Sequence, residues 1–262
     1  MTEPETHWGA AAIDLDERSL PSLKARFLID EAPRTGTLCE IGSGDGKLLH
    51  TLHRDRPGLE LHGCDIRQPT RAPEGYAFKL VEGTRLPYAD GAFDAVVIFD
   101  VLEHVPDPEA TLDEACRIVK PGGKLIAFVP VEGEVVSFYR LYRAVLGDDT
   151  FAEAKEHIQA FKHSQLRDML DRRFKATSSR YAYHLLGHFM DASFFAATRM
   201  SWLRRFWWRD NSFYNEESKG GVASHALNGA LRLGNAVAFV ESTVLASVQT
   251  TAAGLLYAGT RC

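Results

Sequence analysis

Between residue 38 and about residue 130, short apolar runs alternate with amphipathic stretches, the rhythm of a parallel sheet with helices on its faces. The runs predict strands near residues 37–41, 60–65, 78–82, 93–99 and 124–129. Helices are expected at 47–54 and at 108–119, where Ala110, Leu112, Ala115, Cys116 and Val119 recur at near-helical spacing. Pro121-Gly122-Gly123 then stops the second helix and turns the chain into the next strand. Upstream, residues 19–31 read as a helix that packs over the first strand-to-helix turn or caps the sheet. Downstream, 137–146, 152–161 and 164–172 read as helices, the last behind a capping Ser164, followed by a late strand at 174–183 and a short final one at 255–258. The roughly seventy residues between those strands are too many for a loop and are expected to form a helical lid. The resulting division is an N-terminal helical cap (1–35), a core carrying the ligand site (36–181), a helical lid inserted before the last strand (182–254) and the final strand (255–262).

The turn after the first strand is the most informative segment. Leu38-Cys39-Glu40-Ile41-Gly42-Ser43-Gly44-Asp45-Gly46 sets three glycines at alternate positions between an apolar run and a helix, leaving bare backbone where a nucleotide-like ligand approaches. A dinucleotide fingerprint requires glycine at the sixth position from Gly42, where this chain has Lys47, and no phosphate-loop Gly-Lys-Ser/Thr follows. Strand-end residues should then meet the ligand. Asp65 lies about twenty residues beyond the turn, the place from which an acid reaches both ribose hydroxyls, or else it starts a turn. Glu82 and Gly83 offer an acceptor and a backbone donor to an adenine edge, or Glu82 is a solvated charge. Glu40 lies where a ligand ammonium group would find a negative partner, and Asp45 reads as a helix cap.

Composition narrows the function classes. At 262 residues, 45% hydrophobic and 25% charged, the chain has ordinary globular material for one large α/β domain. Residues 151–262 carry 14 Lys+Arg against 9 Asp+Glu, and residues 1–150 carry 16 against 26, so the core is acidic and a nucleic-acid partner is not expected. No signal segment or long uncharged apolar run stands out, and a cytoplasmic location is the expectation. The four cysteines, Cys39, Cys64, Cys116 and Cys262, are scattered without a Cys-x-x-Cys pair and read as core residues or a free terminal thiol. No metal-spaced His/Asp/Glu cluster stands out, so no metal is expected.

The second strong segment is Phe93-Asp94-Ala95-Val96-Val97-Ile98-Phe99-Asp100-Val101-Leu102-Glu103-His104-Val105, a strand whose end brings Phe99, Asp100 and His104 to the same rim as the glycines. Taken with Glu-Ile-Gly-Ser-Gly-Asp-Gly, Asp65, Leu86-Pro87-Tyr88-Ala89-Asp90-Gly91-Ala92-Phe93-Asp94 and Lys120-Pro121-Gly122-Gly123, it makes residues 36–130 resemble the class I S-adenosylmethionine-dependent methyltransferases, in particular the type 11 branch of ubiquinone and menaquinone biosynthesis enzymes. The resemblance implies a Rossmann-like, mostly parallel seven-stranded α/β sheet with an antiparallel last strand, and S-adenosyl-L-methionine as cofactor. It further implies Glu40, Gly42 and Gly44 at the methionine portion, Asp65 at the ribose and Glu82 with Gly83 at the adenine, although aspartate more often stands where Glu82 does. Phe99 would close over the cofactor, and Asp94 would be structural.

Methyl transfer to an oxygen or an acidic carbon requires a base. His104, just past the fourth strand, is the leading candidate, with helix initiation as its alternative role; His157 and His163 lie where the resemblance implies a substrate-facing cap, as further candidates or as plain surface or cap histidines. Phe189, Phe194, Phe195, Trp202, Phe206, Trp207, Trp208, Phe213 and Tyr214 crowd the expected lid, suiting either a small hydrophobic or aromatic acceptor or plain packing. Arg199, Arg204, Arg205 and Arg209 interleave with them, compatible with peripheral membrane contact. Residues 223–250 are rich in small residues and suit a buried lid helix or a homodimer face. The alternatives are a nicotinamide oxidoreductase, which the glycine spacing disfavours, and a non-catalytic cofactor-binding protein.

Overall fold

The computed structural model describes residues 12–134, 138, 140, 144, 157–190 and 222–262, without the side chains of 222–228, 230 and 231. In chain order the elements are α1 (Leu20–Glu31), β1 (Gly36–Ile41), α2 (Lys47–Asp55), β2 (Leu59–Asp65), β3 (Ala77–Leu80), β4 (Phe93–Phe99), α3 (Pro108–Ile118), β5 (Val119–Pro130), α4 (His163–Asp171), β6 (Phe174–Ala182), α5 (Val222–Val244) and β7 (Gly254–Arg261). The strands form one seven-stranded sheet in the order β3-β2-β1-β4-β5-β7-β6. Strands β1 to β5 pair in parallel and β7 runs antiparallel to both β5 and β6.

The strands are apolar on both faces because both faces are covered. Along β5, Leu125, Ala127 and Val129 join the core under α3 and α4, while Ile126 and Phe128 join the core under α1 and α2. Residues Leu255 and Tyr257 against Leu256 and Ala258 repeat the alternation on β7. The chain leaves β1 toward β2 on one side and returns through β4 on the other, so the order reverses between β1 and β4. That reversal opens a crevice beyond their carboxyl ends.

Local chemistry sets the boundaries. The Ser19 hydroxyl accepts from the Ser22 N–H (3.3 Å), the Ser22 hydroxyl accepts from the Ser19 N–H (3.1 Å), and α1 starts there. Asp107 caps α3 by accepting from the Ala110 N–H (3.0 Å), with Pro108 in the first position. Three expectations need correction. Ser164 does not cap α4, which begins one residue earlier: Gln165 accepts from the Lys162 N–H (3.2 Å) and Glu134 from the His163 N–H (3.0 Å), satisfying the free donors from elsewhere. Asp45 does not cap α2 either; its carboxylate accepts from the N–H (2.6 Å) and hydroxyl (2.9 Å) of Thr70 and ties down the loop after β2. Residues 120–123 are not a turn between helix and strand but a bulge inside β5, since Phe93 pairs with Val119 and Ala95 with Lys124.

β3 ends at Leu80, two residues short of the expected Glu82, and β7 outlasts the expected 255–258 because it is paired on both sides. The expected helix at 152–161 is irregular over 157–161. The expected helix at 137–146 lies outside the described residues except at 138, 140 and 144, as do the lid aromatics and arginines beyond Phe189. On α5, Ala238 and Ser242 are buried whereas Leu233, Val237, Val240 and Val244 are exposed, so only one side packs on the core. Glu241 of α5 accepts from the Leu186 N–H (3.0 Å) at the start of the helical stretch 185–190. Among the described residues no helix is long and apolar enough to cross a membrane.

Candidate active site

The three glycines of the turn serve different ends. At Gly42 (φ +75°) a Cβ would stand 2.3 Å from Val101 Cγ2, and at Gly46 (φ +78°) 2.4 Å from the Tyr76 hydroxyl, so the fold itself excludes side chains there. Gly44 (φ +50°) faces open space, with no described atom within 4 Å of a Cβ position. The turn is fastened to β2: the Gly42 and Ser43 N–H groups donate to the Cys64 carbonyl (2.8 and 3.1 Å), and the Gly44 N–H donates to Asp65 Oδ2 (2.9 Å). Asp65 Oδ1 accepts from the Arg67 N–H (3.0 Å), which holds the carboxylate at the strand end with lone pairs to spare.

Glu40 ends up in an unusual place for a carboxylate. It is 4% exposed, and Oε2 has no hydrogen-bond partner among the described residues. Burial, and after it the proximity of Cys64, Asp65 and Asp100, pushes its pKa well above the usual carboxylate range. A cation delivered by a ligand would relieve that cost. An acid with an unpartnered oxygen, an open glycine and a strand-end aspartate make a chemistry that would suit a ligand carrying both an ammonium group and ribose hydroxyls. Glu82 is exposed just past β3, and Gly83 (φ +80°) likewise has open space at its Cβ position. Phe99, at the end of β4, is buried, and its ring lies edge-on to Phe128 (centroids 6.3 Å apart).

Beyond β4 the chain gathers charge. Asp100, at φ +52°, accepts from Lys24 Nζ through both oxygens (2.7 and 2.9 Å), and the ammonium sits 3.7 Å from the centroid of Phe128. Nothing in the sequence singles out Lys24, a lone lysine on α1. Glu103 is 1% exposed, and neither carboxylate oxygen has a hydrogen-bond partner among the described residues. Burial, followed by the charge of Asp100, raises its pKa well above the carboxylate range. Its backbone carbonyl accepts from the Ile158 N–H (2.9 Å) and the Gln159 N–H (3.1 Å), and this fixes residues 157–159 against the strand end. His157 is thereby set beside His104, with ring centroids 4.7 Å apart. Each presents Nε2 to the same Glu103 Oε1, at 3.9 Å for His104 and 4.0 Å for His157. On its other side, His157 Nδ1 lies 2.9 Å from Glu132 Oε1, itself buried.

His104 and His157, both named from sequence, therefore meet, whereas His163 is removed from them. It is buried, with Nε2 3.1 Å from the Ala252 carbonyl, and burial lowers its pKa. One grouping was not seen in the sequence: Glu103, His104 and His157 each place a ligand atom within 4.8 Å of the others. Fifty-odd residues of sequence separate the second histidine from the first two groups, so spacing does not disclose the cluster. Asp94 is structural, as read. It accepts from the Thr37 N–H (2.9 Å) and pairs with Lys120 (2.7 Å), and Gly36 leaves room for it.

Comparison with known proteins converges on this geometry. A family model described as a methyltransferase domain matches residues 14–173, more than half of the chain. Similar curated proteins include the ubiquinone/menaquinone biosynthesis C-methyltransferase of Desulfotalea psychrophila, 26% identical over 129 residues (45% of this chain, 52% of that protein). The demethylmenaquinone methyltransferase of Thermus thermophilus is 29% identical over 150 residues (53% and 62%). The matched region thus spans a little over half the length of these relatives. Among solved structures, geranyl diphosphate C-methyltransferase from Streptomyces coelicolor A3(2) shares the fold at a TM-score of 0.54 and 15% identity, over 93% of this chain and 78% of that one. The family match sets the nicotinamide alternative aside. With its strand order, its glycine turn and a matching family model, the chain belongs to the methyltransferase-domain family, of the class I, S-adenosylmethionine-dependent type.

Proposed function

We propose that this chain catalyses methyl transfer from S-adenosylmethionine to an oxygen or carbon of a small hydrophobic or aromatic acceptor of the phenol or quinol class. The observation that carries the reading is a pair of buried carboxylates near the β1/β4 crevice, Glu40 with Oε2 and Glu103 with both oxygens lacking a hydrogen bond among the described residues. In this reading Glu40 would serve the cofactor, and Glu103, with His104 and His157, the acceptor. The quinone-pathway names of the curated relatives support the acceptor class.

When bound, S-adenosylmethionine supplies a sulfonium-activated methyl group, whose bond to sulfur breaks as the bond to the acceptor atom forms. The protein's own part is placement and proton handling. Glu40 would hold the amino-acid portion of the cofactor and Asp65 its ribose, the Gly44 turn would admit it against the backbone, and the bulk of the rate gain comes from fixing two reactants at one geometry. The acceptor atom has to lose its proton to become a competent nucleophile. His104, about a third exposed beside Glu103, serves that proton loss.

Incubation with methyl-labelled S-adenosylmethionine and a panel of phenols, hydroxyquinones and prenylated quinols tests this. Label should appear in at least one acceptor, and His104→Ala should lower turnover about 100-fold or more while leaving cofactor binding intact. Label that stays on the cofactor across the panel, in protein that binds S-adenosylhomocysteine, would defeat the transfer reading.

A further inference from the structure

We propose that Glu103, His104 and His157 form a binding site for one divalent first-row transition cation, of the zinc or manganese kind, with Glu132 positioning His157 and with coordination positions left for adjacent oxygen atoms of the acceptor. The assignment of the acceptor rests on the proposed function; the cation site itself does not.

Three observations carry it. The first is the geometry: two imidazole nitrogens converge on one carboxylate oxygen at 3.9 and 4.0 Å, too far for hydrogen bonds and suited to an ion seated between them. Metal–ligand bonds of about 2.0–2.2 Å set neighbouring ligand atoms roughly 3–3.5 Å apart, so the three atoms would close up by about half an ångström or more, a movement for the side-chain torsions of the partly exposed His104. The second is Glu103, whose two oxygens are buried and unpartnered among the described residues. A buried carboxylate without a hydrogen bond is costly, and a cation at this position removes the cost. The third is the far side of His157. The Glu132 carboxylate accepts from Nδ1–H at 2.9 Å, which leaves the Nε2 lone pair facing Glu103, the carboxylate–histidine arrangement that orients metal-ligating imidazoles. The Ile158 and Gln159 N–H bonds to the Glu103 carbonyl, with Gln159 Nε2 donating to the Val105 carbonyl (3.3 Å), build the two halves into one unit.

Two nitrogens and one oxygen make a donor set for zinc, cobalt, iron or manganese rather than for magnesium, which favours oxygen. Only three protein ligands are present, so the ion keeps open positions as catalytic sites do. A phenol or enol oxygen bound there would ionise more readily. The acceptor's proton is then released at lower pH than from the free compound, and His104 serves as a ligand rather than as a freestanding base. The geometry favours acceptors with two neighbouring oxygens, which chelate.

The test uses the full chain, stripped with a chelator. Co2+ is titrated first and its visible spectrum recorded, then Zn2+, Mn2+ and Mg2+ are compared by thermal shift. Co2+ should bind one to one with a d–d spectrum lacking thiolate charge-transfer bands, which separates this site from the free cysteines. Zn2+ or Mn2+ should raise Tm and Mg2+ should not. Glu103→Gln and His157→Ala should weaken Co2+ binding more than tenfold, Glu132→Gln by about ten- to 100-fold, and S-adenosylhomocysteine affinity should be unchanged in all three. Glu103→Gln replaces a buried carboxyl whose oxygens have no hydrogen bond among the described residues, so the metal-free variant should melt no lower than the metal-free parent and serves as the folded control. Absence of Co2+ binding, binding indifferent to Glu103→Gln, or a spectrum dominated by thiolate would overturn the proposal. Retained S-adenosylhomocysteine binding in that event would leave the methyltransferase reading standing.

Discussion

Single residues carry the sharpest expectations. Glu40 is buried, its Oε2 has no hydrogen bond among the described residues, and its surroundings hold it above the usual carboxylate range. An arriving ammonium group favours its ionised form, so S-adenosylhomocysteine binding at neutral pH should release a proton, measurable by calorimetry in buffers of different ionisation enthalpy. Glu40→Gln should abolish that release and weaken affinity by about tenfold or more, with no loss of Tm; equal proton release in the variant would show that Glu40 does not meet the ligand. The position of Asp65 and Glu40 beside the glycine turn was legible in the sequence because they flank a glycine pattern at a known interval. Lys24 was not, since a lysine on a helix remote from the turn has no local signature, and its partner Asp100 is reached only through the packing of α1 on the sheet. The same holds for His157, named as a candidate but tied to Glu103 only by the backbone bonds of 158 and 159.

At the scale of the element, the glycine turn separates packing from function. Gly42→Ala drives a methyl group into Val101 and should cost about 1–3 kcal/mol in denaturant unfolding. Gly44→Ala meets no described atom and should cost about 1–2 kcal/mol from the left-handed backbone alone, yet weaken the cofactor more than Gly42→Ala does. Reversed ranks for affinity would place the ligand elsewhere. The strands were readable because a sheet covered on both faces writes itself as unbroken apolar runs, and β4 matches its expected span at both ends. The ends that were misjudged depend on distant partners. Glu134 reaches the first N–H of α4 across 29 residues, and Asp45 is taken up by Thr70, so neither Ser164 nor Asp45 caps as its local context suggests.

For the whole molecule, pH dependence follows from which carboxylates the fold raises and which it lowers. Bonds from Lys120 and then Thr37 hold Asp94 below its ordinary pKa of about 3.9. Its contribution is therefore present above that value and lost as pH falls through the lower folded pKa. Asp94→Asn should reduce stability at pH 7 and flatten the acid limb of a Tm-against-pH profile; an unchanged limb would remove Asp94 from the account. Glu40 works in the opposite sense. Its folded pKa is raised, so its contribution falls as pH rises from about 4.3 toward the folded value, and bound cofactor should offset that loss. The mostly parallel seven-stranded sheet with its antiparallel last strand was recoverable from the sequence through family resemblance, whereas the one-sided burial of α5 was not, because small apolar residues there fit a buried or a surface face equally. The central claim is that the β1/β4 crevice holds adenosine joined to an amino acid. Titration calorimetry of the full chain with S-adenosylhomocysteine tests it most directly: saturable one-to-one binding, weakened by both Glu40→Gln and Asp65→Asn and not reproduced by NADH, is the result predicted, and a folded protein that gives no heat with S-adenosylhomocysteine would contradict it.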